Sequence, residues 1–239
     1  MATPVEPVHL RPATELAERV LLPGDPHRAL WVAQALLERP LMFNHHRGLW
    51  GYTGLAPDGA PVSVQSTGMG GPTTAIVVEE LIALGARRLI RIGTCGALDP
   101  ALALGQMVTV TAALAGDGTS AALGARDAVE PDPRLTAALL AGEAGRGVVA
   151  ASTDLFYERR PGVEARWRER GAGVVEMEAA TLLQVCLSRG VQGACVLAVS
   201  DLLSAPEGRR RIEADALEEL GVRLGRAGLG ALAVPAGAP

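Results

Sequence analysis

The sequence predicts an α/β protein: a single domain over 1–239 with a mixed, largely parallel central sheet and helices on both faces. Three observations predict it. Apolar runs of strand length alternate along the chain with stretches of helical periodicity. Hydrophobic residues make up 49% of the chain but aromatics only 3%, so the core must be assembled from Ala, Leu and Val, which suit helices packed closely on a sheet. The 239 residues contain no internal repeat and no linker-like stretch that would mark a second domain.

Taken in order, residues 17–22 read as a short buried strand, closed by the turn Pro23-Gly24-Asp25-Pro26, after which Arg28 to Leu37 has helical spacing. Residues 49–55 and 61–66 resemble two strands of a hairpin around Pro57-Asp58-Gly59. The glycine-rich stretch from Thr67 to Thr74 leads into a helical run over 75–84. A strand from Arg88 to Ile92 breaks at Gly93-Thr94-Cys95-Gly96, and Met107 to Leu114 is another β-branched apolar run. Residues 115–134 are rich in Gly, Asp and Ala and read as loop. Helices are expected at 134–144, 162–170, 177–189 and about 208–232, with a strand at 194–200 and a frayed tail over 233–239. Such alternation favours strands covered on both faces, and the loops at their carboxyl ends can converge on one crevice.

Composition narrows the function. A formal net charge of −4 offers no general field for nucleic acid, so a small substrate is expected. All 22 of the Lys and Arg residues are Arg, whose planar fork suits phosphate oxygens, although GC-rich coding also favours Arg and accounts for the excess more readily. Three cysteines, Cys95, Cys186 and Cys195, show no Cys-x-x-Cys spacing and no His cluster, which argues against a disulfide framework and a zinc site. The first residues lack the charged-then-apolar signal pattern, and no apolar run approaches the ~18 residues of a membrane span, so a cytoplasmic location is expected.

Several positions carry candidate chemistry. Gly24 allows close backbone approach and Arg28 lies one helical turn on, a cradle for an oxyanion, though the same residues make a common turn. Arg91, a permanent charge in an apolar strand, needs an anionic partner, either a ligand or a structural salt bridge, and Thr94 adds a hydroxyl donor. Gly68-Met69-Gly70-Gly71 offers further backbone access or a simple packing turn. His45-His46-Arg47 and His9 read, by themselves, as solvated surface. Glu176, Met177 and Glu178 open a helix, where capping by either acid competes with Glu178 accepting sugar hydroxyls and Met177 packing on a sugar face. Asp201 ends an apolar strand, as a crevice-facing acid or as the cap of the next segment. Phe156 can stack on a base or fill the core.

As an ordered set, Pro23-Gly24-Asp25-Pro26 with Arg28, Gly68-Met69-Gly70, Arg91 to Ala97, Asp154-Leu155-Phe156-Tyr157, Glu176 to Ala180 and Val199-Ser200-Asp201 resemble the nucleoside phosphorylase family over essentially the whole chain. That family includes hexameric bacterial purine nucleoside phosphorylase and uridine phosphorylase. The resemblance implies a three-layer phosphorylase-type fold and phosphate contacts from Gly24, Arg28, Arg91 and Thr94, with Arg47 reaching in from a neighbouring subunit. It implies ribose contacts from Met69, Met177 and Glu178, with His9 also crossing over, and a base pocket bordered by Cys95, Gly96, Phe156, Val175 and Ser200. Asp201 would be the acid at purine N7. The Arg that assists it cannot be aligned uniquely, because the segment after Asp201 is short; Arg209, Arg210 and Arg211 are candidates, with Arg211 preferred.

Uridine-specific relatives carry a Gln and Arg pair in an insertion after the Phe-Tyr segment, and the short stretch from Tyr157 to Gly162 lacks it. A purine nucleoside is therefore the expected substrate, with inorganic phosphate as co-substrate, no cofactor or metal, and a homohexamer arranged as a trimer of dimers. A uridine phosphorylase, a hydrolytic nucleosidase of the same fold and a non-catalytic nucleoside sensor are the competing readings.

Overall fold

The computed structural model describes residues 6–203 and 208–235. Strand β1 (Arg19–Leu22) is buried along Val20, Leu21 and Leu22 and runs through the Pro23-Gly24 turn into helix α1 (Pro26–Leu36). The helix starts there because Asp25 caps it, accepting from the His27 and Arg28 amides, with a proline in the first turn. A meander follows: β2 (Glu38–Asn44), β3 (Gly51–Leu55) and β4 (Pro61–Gln65). Then come α2 (Gly71–Ala83), β5 (Arg88–Ala97), β6 (Met107–Gly116), α3 (Gly118–Ala122), β7 (Ala128–Val129), α4 (Pro133–Leu140) and β8 (Gly147–Thr153). The remainder is α5 (Val163–Glu169), β9 (Ala172–Glu176), α6 (Ala179–Arg189), β10 (Gln192–Leu202), β11 (Arg210–Arg211) and α7 (Ala214–Ala233).

All strands join one mixed sheet. Its centre, β4-β1-β5-β10, is parallel, and the β2-β3-β4 meander extends one edge in antiparallel fashion. Beyond the centre the sheet curls: β10 pairs β6, β6 pairs β8, β8 pairs β9, and β9 returns to β5, so five strands close a ring. Closure removes the edges that an open sheet would expose there. Buried residues of α2 and α6 pack one face, in a cluster with Val77, Leu81, Leu182 and Val185. Those of α1, α4 and α7 pack the other, with Val32, Leu135, Leu139 and Leu224. The result is the three-layer α/β arrangement expected.

Several elements differ from expectation. Strand β2 has no apolar alternation, because it is an edge strand with Leu41 and Met42 exposed, and Pro40 is tolerated where no partner needs its N–H. Strands β8 and β9 are written in Ala, Val, Gly and Ser, too small to register as a pattern. Strand β5 does not break at Gly93 but continues to Ala97; a Cβ on Gly93 would stand 2.6 Å from Nη2 of Arg91, so the glycine marks close packing inside the strand. The expected loop at 115–134 holds α3, β7 and the start of α4. Helix α7 begins at Ala214, since Arg210 and Arg211 pair with the end of β10 as β11. Most of the expected frayed tail, residues 236–239, lies outside the described residues.

The N-terminal segment is tied to α2 by a residue with no obvious sequence signal. Glu80 is buried and accepts from the His9 amide at 3.0 Å, the Leu10 amide at 2.7 Å and His9 Nδ1 at 2.7 Å. Burial by itself would raise its pKa, but the hydrogen bonds from the His9 ring and the two amides overcome this and hold it below the ordinary value of 4.5. A depressed carboxyl contributes stability that is present above its unfolded pKa and is lost as pH falls through the lower folded value. Glu80→Gln is therefore expected to cost about 1–3 kcal/mol at pH 7 in urea unfolding, with the difference from wild type shrinking below about pH 4.5. A difference that stays constant down to pH 3 counts against this ionised anchor.

Candidate active site

The carboxyl ends of β1, β5 and β10 open into one cleft of about 790 Å³, as the position of a crevice in a parallel sheet requires. Its walls bring together the turn at Gly24, Arg28 of α1, Met69, the β5 residues from Arg91 to Gly96, and the β9–α6 junction from Val175 to Glu178. Phe156, Ser200, Asp201, Arg209 and Arg211 complete it. Every sequence-predicted site residue lies in this lining except His9 and Arg47.

At one end two glycine turns meet beside Arg28. The Gly68 amide donates to the Gly24 carbonyl at 3.0 Å and Thr67 to Pro23 at 2.9 Å, so the turns after β1 and β4 are zipped together. A Cβ on Gly24 would come within 3.1 Å of the Gly68 oxygen. Arg28 rises from the first turn of α1, its stem lying against Gly221 of α7, where a Cβ would meet Cγ at 3.0 Å. Its Nε is buried without a partner, and its pKa is depressed first by burial and then by Arg91, against the opposing pull of Asp25 and Glu178. A cation held in this way gains from an incoming anion. Thr94, half-buried in the same wall, offers a hydroxyl.

Arg91 is built differently. It is 4% exposed; its Nε lies 3.0 Å from Glu176 Oε2 and its Nη2 2.5 Å from Glu178 Oε2. Burial would lower its pKa, but Glu178 and Glu176 together raise it above the ordinary value. Both readings left open by the sequence thus meet in one residue: Arg91 lines the cleft and is also the centre of an ion triad. The two acids divide the remaining work. Glu176 accepts from Ser152 Oγ at 2.5 Å and from the Glu178 and Ala179 amides, satisfying the orphan donors at the start of α6. Its carboxyl is pushed up by burial and held back by Arg91. Glu178 accepts the Gly70 amide at 2.6 Å and faces the cleft, with a second lone pair on each oxygen still open to hydroxyl donors.

The other end is shaped by a β-bulge. β10 pairs β5 with Val199 opposite Cys95 and Asp201 opposite Gly96, so Ser200 is the extra residue, and the bulge re-aims both side chains. Ser200 Oγ lies 2.7 Å from Asp201 Oδ2 and 3.3 Å from the Cys95 carbonyl. At Asp201 the structure brings Arg209 nearer than Arg211, the candidate the sequence favoured. Arg209 reaches Oδ1 with Nε and Nη2, both at 2.9 Å, whereas Arg211 stands at 3.9 Å. The cause is register: Arg211 is the antiparallel strand partner of Asp201 and its side chain is largely exposed, while Arg209, just before β11, is free to turn in. Arg210 is the strand partner of Leu202 and is exposed.

Between the two ends lies an apolar slot. Val175 is the strand partner of Gly96, and Leu203 packs so closely over Gly96 that a Cβ there would meet it at 2.9 Å. Trp167 and Val163, one turn apart on α5, form the wall; that i,i+4 spacing is the only signal by which sequence could have found them. Phe156 is 46% exposed, so it is a rim residue and no part of the core. Met69, 84% exposed, overhangs the opposite rim. Cys95 donates weakly to the Ala198 carbonyl, and burial pushes its thiol up, as burial pushes Cys186 up to about 12, so neither is a nucleophile at neutral pH. Among the described residues no cluster of three or more metal-ligating side chains forms, and no helix is long and apolar enough to cross a membrane.

His9 and Arg47 share a different surface. His46 Nδ1 donates to the His9 carbonyl at 3.0 Å, and Arg47 sits beside it in a left-handed conformation at φ 59°. The triad generates a test: Arg91→Ala strands two buried carboxylates and is expected to cost about 3–5 kcal/mol in urea unfolding. Arg28→Gln, which breaks no ion pair, should cost far less, and equal losses would show that Arg91 is not the structural charge described.

Comparison with known proteins places the chain in a family. The family model described as Phosphorylase superfamily matches residues 18–226. The chain is 37% identical over 203 residues to a DeoD-type purine nucleoside phosphorylase of Geobacillus kaustophilus, covering 81% of this chain and 85% of that protein. It is 38% identical over 205 residues to the DeoD-type enzyme of Caldanaerobacter subterraneus, covering 81% and 86%. It is also 36% identical over 204 residues to a uridine phosphorylase of Thermococcus kodakarensis, covering 77% and 73%. With the fold, the cleft and the match over residues 18–226 in agreement, the chain belongs to the phosphorylase superfamily.

Proposed function

We propose that this enzyme catalyses the reversible phosphorolysis of purine ribonucleosides and 2′-deoxyribonucleosides, giving free base and pentose 1-phosphate. The observation that carries the reading is the Arg28 guanidinium, whose buried Nε has no partner, in a cleft that also holds a buried aspartate beside an apolar slot. A hydrolase needs no such cation, because water carries no charge to be held. The DeoD-type relatives support the purine assignment, as does the short segment from Tyr157 to Gly162.

In this mechanism phosphate is held by Arg28, Thr94 and the Gly24 backbone, with Arg91 contributing its field from within the triad. Glu178 accepts ribose hydroxyl hydrogen bonds while Met69 and Met177 pack on the sugar. The base enters the slot between Phe156, Val175 and the Cys95–Gly96 backbone. As the C1′–N9 bond breaks, its electron pair moves into the base, Asp201 gives a proton to N7, and the base departs neutral. The developing oxocarbenium charge forms beside the phosphate, whose oxygen then bonds to C1′. Arg209, assisted at longer range by Arg211, stabilises the carboxylate that remains on Asp201. No cofactor enters; phosphate is the co-substrate. A second copy of the chain, within a homohexamer arranged as a trimer of dimers, supplies His9 and Arg47 to the neighbouring cleft.

Base release from inosine or adenosine is expected to depend on added phosphate. Arg28→Ala should raise the KM for phosphate several-fold more than the KM for nucleoside; release at full rate without phosphate would instead identify a hydrolase. Asp201→Asn should lower kcat by about 10² to 10⁴ on adenosine and by less on inosine, since an amide cannot supply the proton that a 6-amino purine requires. Equal losses on both substrates would remove Asp201 from the role of proton donor.

A further inference from the structure

One face of the Phe156 ring, which lines the cleft, is already covered. Cζ of Arg209 lies 4.7 Å from the centroid of the Phe156 ring, within cation–π range, and Tyr157 meets the same ring edge-on at 5.0 Å. The covering guanidinium is also the one that holds Asp201 Oδ1 at 2.9 Å. Its side chain is 40% exposed, so the Asp201 contact alone is a partly solvated ion pair of modest strength, and the stack on Phe156 is a second contact that can be exchanged. A purine and a guanidinium are both flat and compete for the same layer of space against the ring.

We propose that Arg209 is a self-occluding latch: it covers Phe156 in the unliganded enzyme, and a nucleobase must displace it from the ring to bind. The proposal rests on the purine reading above and adds a step to it. Because one side chain makes both contacts, loosening it from Phe156 leaves it held by Asp201 alone. Base stacking and the electrostatic setting of the proton donor are thereby coupled. Apparent base affinity is lowered by the population of the covered state, and a ligand that cannot stack cannot recover that cost.

The test is direct binding of adenine and of hypoxanthine to the full chain without phosphate, by calorimetry and by tryptophan emission, Trp167 being in the slot wall. Removing the latch with Arg209→Gln is expected to tighten base binding by about two- to fivefold, the strength of an exposed cation–π contact, while kcat falls. In a Phe156→Leu background, where there is no ring to cover, Arg209→Gln should give no gain. Base binding that is unchanged or weaker in Arg209→Gln overturns the latch, and so does an equal gain in both backgrounds. If the wild-type chain binds neither base, the purine assignment falls and the latch with it; if it binds them and the variants show no gain, only the latch falls.

Discussion

Two carboxylates sharing one buried guanidinium set the terms for the rest of this molecule. Taking Arg91, Glu176 and Glu178 out of water costs several kcal/mol per ion, and the arrangement survives only because almost every polar atom in it is satisfied. The partners come from five places in the chain: Arg91 on β5, Ser152 on β8, Glu176 ending β9, the first amides of α6 and the Gly70 amide before α2. The triad therefore fastens the closed ring of strands to the helix layer at the point where the cleft opens. It also fixes Glu178 before any ligand arrives, which is the preorganisation that a sugar-binding carboxylate needs.

Charge balance follows from the same arrangement. Arg28, close enough to feel both Arg91 and Glu178, adds a second guanidinium beside the two carboxylates. Arg91 is committed to the carboxylates, so capacity for a further anion rests with Arg28, whose Nε is buried and unpaired. One end of the cleft thus carries an unsatisfied cation, and Glu178 beside it is fixed by Arg91 and the Gly70 amide while each of its oxygens keeps a free lone pair. At the other end a bulge brings Ser200 and Asp201 into the cleft from a strand that would otherwise alternate one inward and one outward.

Much of the site was legible because turn chemistry and strand ends are local. The Pro23-Gly24-Asp25-Pro26 turn, with Asp25 capping α1, is written in four adjacent residues. The apolar run into Ser200-Asp201 marks a strand end without reference to any partner. Legibility stopped where identity depends on a distant contact. Glu80 lies in an ordinary helical run, and its role appears only when residues 71 positions away fold onto it. The small-residue strands β8 and β9 have no pattern of their own because their Ala, Gly and Ser residues give little apolar–polar contrast along the chain.

The sequence by itself determined the order of turns, the chemistry at the strand ends and the family to which they correspond, since each is a property of a few neighbouring residues. Tertiary structure alone decided the outcomes that depend on long-range partners. It gave Arg91 to Glu176, 85 positions away, and closed five strands into a ring. It also brought Arg209 nearer to Asp201 than Arg211. The physical reason is that a charge or a strand edge specifies only that a partner must exist, and the register of the assembled sheet determines which partner comes within reach.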